Sequence, residues 1–99
     1  MTEKEEIKYA CHLTDEAEFS RLASNKSKWV RMVVAVMTNS QDTLWSLRND
    51  EHLNTRCFVA MKLTSIDRLK EMWETEKNDV VLTIINDTIE ELEQSAVRK

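Results

Sequence analysis

The sequence predicts a small α/β domain: four βα units forming a mostly parallel sheet covered by helices. Four short apolar runs rich in β-branched residues alternate with four segments of helical periodicity. The segments CHLTDEAEFSRL, AVMTNSQDTLWSL, MKLTSIDRLKEM and IINDTIEELEQ share one pattern, marked by Thr14, Thr38, Thr64 and Asp87 at intervals of 24, 26 and 23 residues. A strand, a short loop and a helix fill such an interval. Runs two and four are apolar on both sides, as in strands buried within a parallel sheet.

The first run, residues 7–13, alternates, with Ile7, Tyr9, Cys11 and Leu13 on one side and Lys8, Ala10 and His12 on the other. The helix after it carries Phe19, Leu22 and Ala23 at i, i+3 and i+4, behind a cap at Thr14 or Asp15. The second run, residues 29–37, is apolar except for Arg31, and its four valines favour strand over helix. Ser40 caps the next helix, whose stripe is Leu44 and Leu47 with Trp45 beside it. The third run, residues 57–63, sets Cys57, Val59, Met61 and Leu63 against Phe58, Ala60 and Lys62. Ser65 caps the clearest stripe, Ile66, Leu69, Met72 and Trp73. The fourth run, residues 80–85, is interrupted only by Thr83, and Ile89, Leu92 and Ala96 follow a cap at Asp87 or Thr88. Asp15 with Glu18, and Asp87 with Glu90, have capping-box spacing. The all-α bundle is the alternative fold, because Val33, Val36, Met37, Leu44 and Leu47 nearly share one helical stripe across residues 29–47.

Ninety-nine residues make one domain, 1–99. There is no glycine, so dinucleotide fingerprints, phosphate-binding P-loops and nucleophile elbows are absent, and no cofactor is expected. Two cysteines and two histidines lack metal-site spacing, so no metal is expected either. Cys57 with His12 or His52 is the most reasonable nucleophile pair, against the simpler reading of small core thiols. The chain is therefore read as a non-enzyme.

The net charge of −4 resides in residues 65–99, which hold nine acids and five bases. That balance weighs against nucleic acid as a partner, although Lys26, Lys28, Trp29 and Arg31 form a small basic-aromatic cluster. No apolar stretch reaches the roughly 20 residues of a membrane span, no basic-apolar leader opens the sequence, and a cytoplasmic location follows. The expected activity is protein–protein interaction, as an inhibitor, immunity-type or accessory-subunit protein. Its face would combine Trp45 and Trp73 with Glu71, Glu74, Glu76, Glu90, Glu91 and Glu93, and its partner would offer a basic surface or be a second copy. The alternative is a small-ligand or nucleotide sensor at the strand C-terminal edge, where Thr14, Thr38, Asn39, Ser40, Thr64, Ser65 and Asn86 would gather.

Overall fold

A computed structural model describes residues 1–97 and replaces the expected sheet with helices. There are seven: α1 (Glu3–Cys11), α2 (Glu16–Leu22), α3 (Lys28–Met37), α4 (Gln41–Ser46), α5 (Leu53–Lys62), α6 (Ile66–Thr75) and α7 (Asp79–Val97). No strand occurs among the described residues, so the α/β sandwich of βα units is wrong and the all-α alternative gives the class. The four apolar runs fall on the odd-numbered helices, runs one and three ending just beyond α1 and α5.

Three of those runs sit in helices that have their own side-chain start signal. Thr2 and Glu5 form a reciprocal capping box before α1. The Ser27 hydroxyl accepts from the Val30 N–H at 3.3 Å, and Asn78 Oδ1 accepts from the Val80 N–H at 2.8 Å. His52 occupies the same place before α5 without a side-chain cap bond. Within α3 the fully covered residues are Val30, Val34 and Ala35, with Val33 nearly so, which is i, i+4 spacing. Valine disfavours helix by only about 0.6 kcal/mol per residue relative to alanine, far less than its burial contributes.

The odd helices pack side by side in the order α1, α3, α5, α7. The even helices form a second layer, with α2 on α3, α4 on α5 and α6 on α7. The Cα positions extend 46 × 30 × 15 Å, a flat slab. Its core runs between the layers through Phe19, Leu22, Val34, Leu44, Val59, Leu63, Leu69, Met72, Val81 and Ile85.

The internal repeat is real, but its unit is a helical hairpin. Ala10, Ala35 and Ala60, one on each of α1, α3 and α5, recur at a period of 25 residues and are completely covered. Arg31 and Arg56 recur with the same period. Arg31 Nε meets Asp50 at 2.6 Å while its Nη1 donates to the Asn25 and Lys26 carbonyls at 2.8 and 3.1 Å. Arg56 Nε meets Glu76 at 2.9 Å, with Nη1 on the Asp50 and Glu51 carbonyls at 2.8 and 3.2 Å. Each arginine thus ties the loop before its own helix to the next loop along the slab.

The opposite edge is joined the same way. The Glu16 carboxylate accepts from the Thr38 hydroxyl and from the Asn39 N–H, and Gln41 Oε1 accepts from the Thr64 N–H at 2.9 Å. Lys62 Nζ donates to the carbonyls of Ala35, Val36 and Thr38, closing the C-terminus of α3. The chain breaks at Thr38 rather than running as one helix through residues 29–47. The fourth break does not form. Asp87, Thr88 and Glu90 lie inside α7, where the Thr88 hydroxyl donates to the Ile84 carbonyl at 2.9 Å, so neither Asp87 nor Thr88 starts a helix.

Candidate interaction surfaces

Most exposed large apolar side chains lie on the odd helices. On α3, Trp29 and Val36 are exposed and Met32 is half-buried between them. Cys57 and Met61 continue the pattern on α5, and Val80 and Ile84 on α7. Met61 and Val80 are each 57% exposed. Between α5 and α7, Met61, Ile84, Asp87, Thr88 and Glu91 line a groove of about 430 Å³. Met61 and Ile84 give its lining two apolar side chains beside the buried Thr88, and Asp87 and Glu91, one helical turn apart, add two exposed carboxylates.

A second groove, of about 360 Å³, lies on α6 and α7 between Lys70, Trp73, Glu74, Asn86 and Ile89. Trp73 is 40% exposed there. Trp45 sits elsewhere, half-buried against the core, with the Arg48 guanidinium 4.1 Å and that of Arg68 5.4 Å from its ring centre. Glu71, Glu74, Glu90, Glu91 and Glu93 are exposed, whereas the Glu76 side chain is only 6% exposed and is held by Arg56. Trp73 and Glu74 thus share a groove that excludes Trp45 and Glu76.

The residues expected along a strand edge lie in the turns between odd and even helices, apart from Asn86. Thr38 is fully buried and donates to Glu16. The Ser40 and Ser65 hydroxyls accept from the N–H groups of Thr43 and Arg68, capping α4 and α6. Asn39 and Thr64 give their N–H groups to Glu16 and Gln41. Thr14 is exposed between α1 and α2, and Asn86 is exposed in the middle of α7, far along the chain from those turns. The Glu16 carboxyl, held by the Thr38 hydroxyl and then the Asn39 N–H, titrates below its ordinary range, so this edge already contains its own anion.

Cys57 is half-buried, and burial raises its thiol above the usual value, opposite to what a nucleophile requires. The His52 ring is engaged by the Thr55 hydroxyl at 3.2 Å and stacks edge-on to Trp29, ring centres 5.1 Å apart. The basic-aromatic cluster is divided, because Arg31 turns inward to Asp50 while Lys28 lies 5.3 Å over the Trp29 ring.

Sequence reasoning missed Val36, Met61 and Val80 as surface residues. The available signal was the same apolarity that suggested strands. A run apolar on every side can be fully covered inside a sheet flanked by helices, but a helix in a two-layer slab turns one face outward. Among the described residues no helix is long and apolar enough to cross a membrane. No family model, curated protein or solved structure matches the chain significantly.

Proposed function

We propose that the chain is a cytoplasmic protein-binding module that seats a basic amphipathic helix of its partner in the α5–α7 groove. The observation that carries this reading is that apolar Met61 and Ile84 line one groove with the carboxylates Asp87 and Glu91. Methionine adapts to the shape of an incoming apolar side chain, and a partner helix presents anchors at i, i+3, i+4 and i+7. Lysines or arginines flanking those anchors would meet Asp87 and Glu91, and the acidic C-terminal third would speed encounter. Free thiols at Cys11 and Cys57 suit a reducing compartment. The sensor reading has less support, since the Thr38, Ser40 and Ser65 hydroxyls are occupied within the fold.

The test is fluorescence anisotropy with a labelled leucine-lysine amphipathic peptide about five helical turns long. Met61→Glu with Ile84→Glu should weaken binding at least tenfold. Asp87→Lys with Glu91→Lys should weaken it comparably and flatten its salt dependence, while Glu71→Lys, away from the groove, should leave it nearly unchanged. Equal binding by all these variants, each shown to be folded, overturns the assignment.

A further inference from the structure

Lys70, Trp73 and Glu74 are all exposed on α6, with the two charged residues one helical turn apart on either side of the indole's position. They line the groove completed by Asn86 and Ile89 of α7. This surface corresponds to a flank that the preceding hairpin has covered. One 25-residue period upstream, Trp45 and Arg48 take the places of Lys70 and Trp73, and both are half-buried. Arg68 of α6 lies over that Trp45 ring. After α6 the pattern changes, because α7 continues through Thr88 to Val97 instead of turning back. No following hairpin within the described residues therefore covers Trp73.

We propose that a second copy of this chain covers it. Two α6 helices pack antiparallel about a two-fold axis, with the Trp73 indoles meeting near the axis and the Asn86–Ile89 wall of α7 on either side. Antiparallel packing sets Lys70 of each copy against Glu74 of the other. A two-fold interface must be complementary to itself, and a positive and a negative side chain one turn apart around an apolar centre meet that condition. Among the described residues neither Lys70 nor Glu74 forms an ion pair within the chain, so both charges are available at the edge of such an interface. The tryptophan supplies the desolvated anchor and the charges set the orientation. This surface differs from the α5–α7 groove, and the inference does not depend on the function proposed for that groove.

Sedimentation equilibrium of the full chain at a few hundred micromolar tests it. The expected mass is twice the 11.6 kDa of one chain. Lys70→Glu alone and Glu74→Lys alone should each raise the dissociation constant at least tenfold, because like charges then face each other. The double variant Lys70→Glu with Glu74→Lys should dimerise again, and an equimolar mixture of the two single variants should form a heterodimer. Trp73→Ala should also weaken the dimer at least tenfold while retaining a helical circular dichroism spectrum. A wild-type chain that stays at 11.6 kDa overturns the proposal. So does a dimer indifferent to both single charge reversals; if Met61→Glu dissociates that dimer instead, the copies meet through the α5–α7 groove.

Discussion

Arg31 and Arg56 each hold two backbone carbonyls and one nearly covered carboxylate, Asp50 or Glu76, and Arg31 also lies 3.6 Å from the exposed Glu51 carboxylate. Removing such an arginine leaves a desolvated carboxylate and loop carbonyls without their donor. Arg56→Ala should therefore cost about 3 kcal/mol in urea denaturation, and Arg56→Lys less, since it restores the charge without the planar fork. Glu16 predicts a pH effect of definite sign. Its folded-state carboxyl titrates below the ordinary 4.5 because the Thr38 hydroxyl and Asn39 N–H favour the ionised form. The resulting stabilisation is complete above that value and is lost as pH falls through the lower folded-state value. Stability curves of the wild type and Glu16→Gln should keep a constant separation at neutral pH and converge in acid below 4.5. At this scale the sequence was partly legible. Ser40 and Ser65 are caps as their positions indicate, and Asp15 caps α2 by accepting from the Ala17 N–H, although Glu18 turns to Arg21 rather than completing a box. The arginine ladder was not legible, because its partners lie 19 and 20 residues away and only the packed hairpins bring them together.

Among the elements, α3 shows why valine content misled. Residues 29–37 satisfy a strand pattern on both faces, yet Ser27 caps them and Thr38 ends them as a helix. The discriminating facts were small and local: Ser27 three residues before Val30, and Thr2 three before Glu5. An exposed β-branched residue in mid-helix provides the solution check. Thr83 lies in α7 with its hydroxyl on the Asp79 carbonyl, so Thr83→Ala should stabilise the protein by about 0.5 kcal/mol, visible as a higher Tm. The same change in a strand would destabilise it. Ser40→Ala removes the acceptor of the Thr43 N–H and should cost about 1 kcal/mol in the same assay.

For the molecule as a whole, the central odd helices α3 and α5 are flanked on both sides within their layer and covered by even helices. Their amide protons should exchange most slowly, whereas those at residues 93–97, where every side chain is exposed, should exchange fastest. Val34 is fully buried at the centre of α3, and Val34→Asp should abolish the cooperative melt, since no partner exists there for a carboxylate. The candidate surfaces also belong to this scale. Trp29, Val36, Met61 and Val80 are exposed on three helices that lie side by side.

The sequence alone determined that the chain is built from repeated units of about 25 residues, that it contains no glycine-dependent phosphate site, and where several caps fall. These features depend on residues close together in the chain. Whether each unit held a strand or a second helix was decided by packing: a buried valine gains nearly the same burial in either form, and the local preference between them is a fraction of a kcal/mol per residue. Packing likewise placed Glu76 inside an ion pair, carried α7 past its expected break at Thr88, and left Met61, Val80 and Trp73 on the surface. Those outcomes depend on which side of each helix its neighbours cover, and only the two-layer arrangement specifies that.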